Sequence, residues 1–535
     1  MNAPDFCVFR FLPIPKTPKP TQEPFLLSPT EKALMGATNR EIWRLYQEAL
    51  HNHSNYEKTT ETADLNPTTC TAEALVQAEN NPLVATFWGG RCVIPVSEAH
   101  RRLHTYITGS AGSGKSEAMK AFIWHYLTKK TDTALVLIAP ESDICQQVAR
   151  FTPNLHNDRL VYINPLIDEI HFPCLNPFDF KDKAQISIFE AERRAMDFLA
   201  VFTELLEEND ADLSAQMTTI LQNVLPVLMK WENANIYDLL DFLDKEKCQK
   251  YIDFANLHFQ DNYNLLNFIN SFLKNEKNNP LDRTLSALHS RIYNLFSSSV
   301  LQAFLVGQST IDLEALIAQK KLIIFDLPKG KLGRNTDIIG KMLVAQIKIL
   351  AFKKNPAFSC HLFIDEMHNF ITSSMLEILE ECRKFRLHLT MAQQQFGQGV
   401  SESRIRNSII GNTGIKLTGL NGDDSTLKAL ASSTGADVDE LKKHLHRGVF
   451  SLWQAGLNAP PEPPKFISIP RTTLGNKQGM SDEQWKAVKN LQISRFYRRL
   501  SQNAYLPSQT PPKRENEPLE DEIAVKPSER HLNHN

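Results

Sequence analysis

The sequence feature that most constrains the fold is the run Gly109 to Ser116, GSAGSGKS, in which two glycines flank four residues and Lys-Ser follows at once. Glycines allow successive backbone N–H groups to turn towards a polyphosphate, Lys115 places a positive charge at the outer phosphates, and the Ser116 hydroxyl can bind Mg²⁺. The predicted nucleotide-binding residues are Gly109, Ser110, Ala111, Gly112, Ser113, Gly114, Lys115 and Ser116. A nucleotide is therefore the first ligand that the sequence predicts.

The residues on both sides of this run favour a phosphate-binding loop. Residues 104–108 (HTYIT) have strand character, and apolar residues within 119–127 recur at helical spacing without Gly or Pro. A strand, a glycine loop and a helix place phosphates at a helix N-terminus, where the partial positive charge stabilises them. A flexible Gly/Ser linker that happens to contain a lysine is the alternative, and these flanks argue against it.

Length, composition and cysteine usage set the broad class. The chain has 535 residues, of which 42% are hydrophobic and 22% charged, as in an ordinary globular protein of more than one domain. A formal net charge of -2 argues against a wholly basic surface for nucleic acid, although a local basic lining of a ring or groove stays open. The eight cysteines are scattered without paired spacing, so free thiols in a reducing cytosol are expected.

The sequence gives no sign of membrane insertion or secretion. No stretch approaches the roughly eighteen uninterrupted apolar residues of a membrane-spanning helix, and the N-terminus has no basic-then-apolar secretory pattern. The protein is therefore expected to be soluble and cytoplasmic. Recruitment to the inner membrane by a partner is the alternative.

The order of apolar runs predicts an α/β core interrupted by a helical block. Residues 134–139 (ALVLIA), 160–163 and 322–327 (LIIFDL) have the length and composition of buried parallel strands. Residues 186–304 are helical in character, and Pro226 is expected to kink or end one helix. We therefore predict an α/β fold with a mainly parallel sheet and an inserted all-α domain. The expected boundaries are 1–80 for an accessory, partly disordered region, 81–185 and 306–470 for the two parts of the α/β core, 186–305 for the insert, 471–505 for a C-terminal helix and 506–535 for a disordered tail.

Residues 361–370 (HLFIDEMHNF) form the second informative stretch. An apolar strand ends in Asp365 and Glu366, at the edge where open α/β sheets bind ligands. Asp365 can hold the Mg²⁺ that Ser116 also binds, and Glu366 can polarise the water that attacks a γ-phosphate. A solvated acidic turn explains this stretch equally well by itself, but its combination with the phosphate loop favours the catalytic interpretation.

A third stretch follows the acidic pair. The pattern predicts a helix over residues 375–386 and a strand over 387–392, which runs into glutamines at 393–395. A glutamine beside the acidic strand can detect a γ-phosphate, and an arginine at the helix end can stabilise transition-state charge in a neighbouring subunit. From spacing alone, a solvated helix face is the simpler explanation of Arg383 and Arg386.

The order of these motifs resembles that of a known group of proteins. HTYITGSAGSGKS, NPFDF at 176–180, LIIFDLPKGKLG at 322–333, FIDEMHNF and ECRKFRLHLTMAQQ are together similar to the RecA-like hexameric translocases of the HerA/FtsK superfamily. Within it, the sequence is most similar to the TraD/TraG-type coupling proteins of conjugative type IV secretion. The resemblance covers residues 82–460, and it includes 405–424 and 448–456, which look like the closing strands of the family.

The resemblance implies a RecA-like P-loop ATPase that assembles as a ring, expected to be a hexamer, and moves DNA through its channel. ATP and Mg²⁺ are the implied cofactors, with Ser116 and Asp365 as metal residues and Glu366 as the residue that activates water. DNA, further copies of the chain, and a relaxase or secretion-channel proteins are the implied partners.

The resemblance also implies roles for residues of the third stretch. Arg383 is the implied arginine that acts in the neighbouring subunit, and Gln394 is the implied sensor, with Gln393 as its alternative. Arg386 occupies a position that is often glycine in relatives, so the assignment between the two arginines stays open. Residues 139–142 (APES) also depart from the family, which often has an acidic residue followed by Pro-Lys-Gly.

The membrane helices at the N-terminus of typical coupling proteins are not seen in this sequence, and three functions are therefore weighed. The first is a motor for conjugative DNA transfer, with an anchor supplied by a partner. The second is a soluble HerA-like translocase in DNA processing or defence. The third is a nucleotide-binding adaptor that recruits protein cargo, against which the intact phosphate loop and acidic pair argue.

Residues 481–500 are predicted to form a helix that begins with a capping box of Ser481 and Gln484. It ends in three arginines beside Phe496 and Tyr497, a pattern that can contact nucleic acid. A packed helix with a solvated basic face is the preferred interpretation.

Overall fold

The structure of the chain is a computed structural model. It describes residues 12–13, 38–52, 66–69, 98–128, 132–155, 158–180, 183–207, 213–273, 281–396, 403–456, 460–461, 463–469 and 479–499. The strands predicted near residues 83–94 and the predicted tail lie outside the described residues.

The described strands form one large sheet and one small one. They are β1 (Leu12–Pro13), β2 (Thr105–Thr108), β3 (Ala134–Ala139), β4 (Leu160–Ile163), β5 (His171–Phe172), β6 (Leu322–Asp326), β7 (Cys360–Ile364), β8 (Leu387–Gln393), β9 (Ile415–Thr418), β10 (Val449–Gln454), β11 (Lys465–Ser468) and β12 (Arg498–Arg499). The large sheet has the order β1-β11-β10-β9-β2-β8-β7-β3-β6-β4, and β5 pairs with β12. Neighbours from β9 to β4 are parallel, whereas β10, β11 and β1 add antiparallel strands at one edge.

Every residue of the seven parallel strands is buried. Such strands are covered on both faces, which is why they read as continuous apolar runs in the sequence. The strands predicted at 134–139 and 160–163 have the observed bounds of β3 and β4. The predicted α/β class with a mainly parallel sheet is confirmed.

Helices cover both faces of the sheet and fill the segment between β5 and β6. They are α1 (Asn39–Asn52), α2 (Glu98–Arg101), α3 (Lys115–Thr128), α4 (Ser142–Ala149), α5 (Ile188–Glu207), α6 (Ala215–Lys230), α7 (Ile236–Leu243), α8 (Gln249–His258), α9 (Tyr263–Phe268), α10 (Asp282–Leu295), α11 (Ser299–Leu305), α12 (Leu313–Ala318), α13 (Lys329–Leu332), α14 (Arg334–Phe352), α15 (Ser373–Glu381), α16 (Ser403–Asn412), α17 (Asp424–Thr434), α18 (Val438–His444) and α19 (Asp482–Phe496). A π-helical turn at Ile269–Leu273 follows α9. Short 3₁₀ turns lie at Thr152–Leu155, Lys183–Gln185, Met367–Asn369 and Cys382–Phe385.

Helices α5 to α11 occupy the segment predicted as an all-α insert, and its exact boundaries stay a prediction. Pro226 does not end its helix, because α6 continues to Lys230. The side chains of Val224, Leu225 and Val227 around the proline are fully buried. Burial of this apolar face outweighs the single backbone hydrogen bond that proline removes.

Two other predicted elements differ from the structure. The predicted helix over 375–386 stops at Glu381, and a 3₁₀ turn follows. The segment 405–424 was expected to form closing strands of the sheet. Its first part instead belongs to the helix Ser403–Asn412, and the strand Ile415–Thr418 follows that helix. Short 3₁₀ turns and short helices have weak sequence periodicity, so the pattern alone does not distinguish them from a continuing helix or from a strand.

The sheet has a separate hydrophobic core on each face. Val136 and Ile138 of β3 point into the core that contains Phe198 of the insert, whereas Leu135 points to the opposite face with Phe122 of α3. This alternation follows from the two-residue period of a strand. The insert therefore packs continuously on the core, with α5 against α14 and α15.

Helix α19 begins with the predicted capping box, since Ser481 Oγ accepts from the backbone N–H of Gln484 and the Gln484 side chain accepts from the N–H of Ser481. The helix ends at Phe496 rather than at residue 500 as predicted, and Arg498 and Arg499 form β12. Arginines in and after the helix contact other parts of the protein. Arg495 pairs with Asp158 at 2.7 Å, and Arg498 donates to the carbonyl of Val306. The preferred interpretation of this helix as a packed element agrees with these contacts.

Helix α19 also covers the free edge of β4. The N–H of Tyr162 donates to Gln492 Oε1 at 3.0 Å, and the Tyr497 hydroxyl donates to the Tyr162 carbonyl at 3.0 Å. The N–H of Asn164 donates to the same hydroxyl at 2.8 Å. Side chains thus replace the hydrogen bonds of a missing neighbouring strand, which prevents β4 from pairing with another chain.

In the described part of the chain, no helix combines the length and apolar character that crossing a membrane requires. The cysteines among the described residues have free thiols and are buried; they are Cys145, Cys174, Cys248, Cys360 and Cys382.

Candidate functional site

The glycine loop lies between β2 and the N-terminus of α3, as predicted. The ammonium of Lys115 donates to the carbonyls of Gly109 at 2.8 Å and Ser110 at 3.4 Å. Gly112 and Gly114 have φ values of 71° and 111°, which favour glycine. The first backbone N–H groups of α3 have no partner within the helix, so they are available to an anion. The loop therefore has the backbone shape and the donors of a phosphate site.

Two later segments support the loop. The N–H of Ser110 donates to the Leu420 carbonyl at 2.7 Å, and the N–H of Gly422 donates to Ser110 Oγ at 3.3 Å. The N–H of Gly448 donates to the Ser113 carbonyl at 2.8 Å. The sequence did not predict these hydrogen bonds. The glycines of residues 419–424 (GLNGDD) were the only nearby indication that this segment turns close to another backbone.

Asp365 follows β7 and lies beside the loop. Ser116 Oγ donates to Asp365 Oδ2 at 3.3 Å, and the N–H of Glu366 donates to Asp365 Oδ1 at 3.0 Å. Burial, followed by the charge of Glu366, raises the pKa of Asp365 to about 6. The structure therefore brings together the two predicted metal residues, Ser116 and Asp365.

Glu366 adopts the left-handed region, with φ 46° and ψ 54°. Its carboxylate lies 4.0 Å from Lys115 Nζ and 3.4 Å from His368 Nδ1, and it accepts from Gln394 Nε2 at 3.4 Å. Each of these contacts is longer than the usual hydrogen-bond distance. The carboxylate is thus held among polar groups without a short bond to any of them.

The two candidate glutamines have different surroundings. Gln393 ends β8 with a buried side chain, and its Nε2 donates to the Tyr106 hydroxyl at 2.8 Å. Gln394 follows the strand, and its side chain contacts Glu366. Its carbonyl accepts from Thr108 Oγ1 at 3.1 Å and from Asn421 Nδ2 at 2.9 Å. Of the two glutamines, only Gln394 therefore contacts the acidic pair, and its role as a sensor stays a prediction.

The two candidate arginines lie before the start of β8, at the amino edge of the sheet, whereas the loop and the acidic pair lie at the carboxyl edge. A strand of this length separates the edges by about 20 Å. Arg386 has φ 60° and donates to the Pro356 carbonyl at 2.9 Å, so its side chain binds its own chain. Arg383 is exposed. Neither arginine belongs to the site of its own chain.

The residues fit a nucleotide with Mg²⁺. Ser113 Oγ is buried at the loop and has no hydrogen-bond partner among the described residues, as expected of a group that a phosphate would contact. Ser116 and Asp365 supply hydroxyl and carboxylate oxygens, the hard donors that Mg²⁺ prefers. Lys115 would add a charge at the outer phosphates.

Asp326, at the end of β6, is a second buried carboxylate at the same edge of the sheet. It accepts from Ser142 Oγ at 2.7 Å, Tyr162 Oη at 2.5 Å and Asn164 Nδ2 at 3.0 Å. Burial raises its pKa. Ser142 belongs to the segment that departs from the family pattern, and here it binds a structural carboxylate.

Comparison with known proteins gives one family match and several similar folds. Residues 359–448 match a family model described as the TraM recognition site of TraD and TraG. No curated protein matches the sequence. Two structures of the conjugative coupling protein TrwB are similar, one with the ATP analogue ADPNP and one, a trigonal form, with sulphate. Each is 12% identical with a TM-score of 0.50, over 72% of this chain and 91% of that chain.

At this identity, the TrwB structures show a shared RecA-like fold. The matched family segment starts at β7 and contains the acidic pair, both arginines and both glutamines. The fold, the phosphate loop and the family model together support a P-loop NTPase of the kind related to type IV secretion. Within residues 359–448, the similarity is to the TraD and TraG proteins that this family description names.

Proposed function

We propose that the protein is an ATP-hydrolysing, ring-forming motor that moves DNA for conjugative transfer by type IV secretion. The main support for the proposal is the contact between two segments far apart in the sequence, the phosphate loop and the acidic pair after β7. Ser116 Oγ lies 3.3 Å from Asp365, and Lys115 Nζ lies 4.0 Å from Glu366. A phosphate-binding loop and a pair of carboxylates in contact are the two halves of a site for phosphoryl transfer to water.

Each residue has a distinct proposed role in hydrolysis. Lys115 binds the outer phosphates of ATP, and Ser116 and Asp365 hold Mg²⁺, which when bound offsets the negative charge of the phosphates. Glu366 orients the attacking water and takes its proton. Gln394, which contacts Glu366, is the group that detects whether a γ-phosphate is present.

Arg383 is proposed to complete the site of the next subunit. It is exposed at the edge of the sheet opposite to its own site, so it can act on ATP only in another copy. Arg386 is the weaker candidate because it binds Pro356 in its own chain. Hydrolysis should therefore require assembly, for which a hexameric ring is proposed.

DNA is the proposed substrate of the motor, and a relaxase or secretion-channel protein is its proposed partner. The family matched by residues 359–448 is described as a recognition site for TraM, which supports a partner from the DNA-processing complex of conjugation. The proposed location is the cytoplasm, with recruitment to the inner membrane by such a partner.

ATP turnover with and without DNA tests the proposal. Wild type should hydrolyse ATP faster with DNA, whereas Lys115→Ala and Glu366→Gln should each lose about a hundredfold or more in kcat, because each removes charge stabilisation or the water base. Lys428→Ala and Glu483→Gln, which change exposed residues away from the site, are the matched controls. Equal turnover in wild type and both site variants would exclude the motor and favour a nucleotide-binding adaptor.

Mixed assemblies test the role of Arg383. Arg383→Ala should abolish DNA-stimulated turnover, while Lys384→Ala, the exposed neighbour, should retain it. Mixing Arg383→Ala with Lys115→Ala should restore part of the activity, because some interfaces then combine an intact loop with an intact arginine. No recovery in mixed assemblies, with subunit exchange verified by labelled protein, would contradict action between subunits.

Co-purification separates the two DNA motors that the sequence leaves open. A relaxase or channel protein bound to the full chain supports conjugative transfer. A nuclease in the complex instead supports a translocase for DNA processing or defence.

A further inference from the structure

Glu366 has a backbone conformation that its sequence does not favour. Its φ of 46° and ψ of 54° lie in the left-handed region, where a side chain with a Cβ is strained. A strained residue persists only when its surroundings hold it, and such residues are concentrated at functional sites. The contacts that hold Glu366 therefore decide where its carboxylate points.

Asn369 supplies the first of these contacts. Its side-chain Nδ2 donates to the Glu366 carbonyl at 3.0 Å, and its backbone N–H donates to the same carbonyl at 3.1 Å. The asparagine is 9% exposed, so water competes little with the side-chain bond. One residue thus closes the turn that begins at Glu366.

Lys329 fixes the asparagine from a different part of the chain. Its ammonium donates to Asn369 Oδ1 and to both oxygens of Asp337, at 3.0 and 3.1 Å. Lys329 lies in the PKGK turn after β6, and Asp337 lies in the first turn of α14. The bond to Oδ1 orients the amide so that Nδ2 faces the Glu366 carbonyl.

Helix α14 anchors the end of the same turn. A Cβ added at Gly340 would lie 2.2 Å from the ring of Phe370, so the ring rests directly on the backbone of the helix. Lys329 of α13 and Asp337 and Gly340 of α14 therefore hold the turn over residues 366–370 against two consecutive helices.

We propose that Asn369 and Lys329 are positioning residues that hold Glu366 in its left-handed conformation and so direct its carboxylate at the attacking water. This inference rests on the proposed hydrolytic function. The two residues touch neither the loop nor the acidic side chains in the structure, and they act through the backbone of Glu366. They link the turn over residues 366–370 to the segment that follows β6, which contains Lys329. Movement of that segment would therefore change the direction in which the Glu366 carboxylate points.

The variants Asn369→Asp and Lys329→Ala test the proposal. Asn369→Asp keeps the acceptor for Lys329 and the backbone donor to the Glu366 carbonyl, but it removes the side-chain donor. Misplacement of the carboxylate should then lower kcat about tenfold or more with little change in KM for ATP. Lys329→Ala should lower kcat by a smaller factor, and Lys329→Arg should restore most of it. Lys331→Ala, an exposed lysine in the same turn, is the charge-matched control.

A double-variant cycle separates positioning from loss of folding. In a Glu366→Gln background, Asn369→Asp should cause no further loss of kcat, since the group that it positions is already absent. A full additional loss in that background, or wild-type kcat in Asn369→Asp, would overturn the proposal.

Hydrogen exchange measures the turn independently of turnover. Amides of residues 366–370 should exchange faster in Asn369→Asp than in wild type, with exchange in β7 unchanged. If wild-type turnover equals that of Glu366→Gln, the hydrolytic function fails while this measurement still decides the positioning. Unchanged exchange in residues 366–370 would overturn it.

Discussion

Two buried carboxylates lie at the ends of the strands that flank β3: Asp365 follows β7, and Asp326 is the last residue of β6. Their hydrogen-bond partners differ. Asp326 accepts from three side-chain donors at 2.5 to 3.0 Å. Asp365 accepts from one side chain, Ser116, at the longer distance of 3.3 Å. The comparison shows that the fold satisfies one carboxylate fully and leaves the other with capacity for a ligand.

The same contrast extends to the surroundings. Around Asp326, the edge of β4 is closed by short hydrogen bonds with Tyr497, which donates one and accepts one, and with Gln492, which accepts one. Around Asp365, Glu366 makes contacts of 3.4 to 4.0 Å. A buried polar group without short hydrogen bonds is costly unless a ligand completes it, so the long contacts leave Glu366 with capacity for the ligand that we propose.

The largest expected effect comes from removing the charge of Asp365. Asp365→Asn should lower Mg²⁺-dependent ATP turnover about a hundredfold or more, because the proposed metal site would lose its charged ligand. The melting temperature without nucleotide should stay close to that of wild type. Steady-state turnover measured over a Mg²⁺ titration tests the loss of activity. A large loss of stability without a loss of turnover would mean that Asp365, and not only Asp326, has a structural role.

Asp326→Asn should have the opposite result. It disturbs a satisfied buried network, and we expect a loss of about 1–3 kcal/mol in the free energy of unfolding. The kcat of protein that remains folded should change little. Thermal melting compared with Asp261→Asn, an exposed aspartate of the insert, measures this effect. An unchanged melting temperature together with lost turnover would instead place Asp326 in the site.

Tyr497→Phe tests whether the C-terminal segment stabilises the sheet edge. The hydroxyl donates to Tyr162 and accepts from Asn164, so its removal should cost about 1–2 kcal/mol. Tyr293→Phe, with an exposed ring, is the control. Hydrogen exchange should be faster in β4 and unchanged in β7, and uniform exchange across the sheet would contradict a local role for this edge.

The smallest expected effect is that of the helix cap. Ser481→Ala should cost about 1 kcal/mol, because the N–H of Gln484 loses its acceptor at the start of α19. Gln484→Ala should add little to it, since both changes break the same capping box. Melting temperatures of the single and double variants measure the coupling, and simple additivity would show that the two halves act separately.

Local sequence patterns predicted a large part of the fold. The bounds of β3 and β4 follow from short apolar runs, and the loop from the spacing of its glycines and lysine. The contact of Ser116 with Asp365 was expected because carboxyl ends of parallel strands share one edge of a sheet. The prediction that Pro226 could end its helix was wrong, because burial of the neighbouring apolar side chains outweighs the backbone hydrogen bond that proline removes.

Other parts of the site could not be predicted from the sequence. Adjacent glutamines have equal sequence signals, and only the end of β8 directs Gln393 to Tyr106 and Gln394 to Glu366. The support of Ser110 by Leu420 joins residues far apart in the chain. Such pairs have no common period or motif that a pattern would detect.

The sequence by itself determined the phosphate loop, the acidic pair and the α/β class, because each depends on the chemistry or period of neighbouring residues. The tertiary structure alone decided which glutamine contacts Glu366, that Arg386 binds its own chain, and that Asp326 is satisfied while Asp365 is not. The physical reason is that hydrogen-bond satisfaction depends on which distant segments meet at the edge of the sheet. The fold determines which of these segments are in contact. Those contacts distinguish Asp326, whose hydrogen bonds are complete, from Asp365, which can bind a metal.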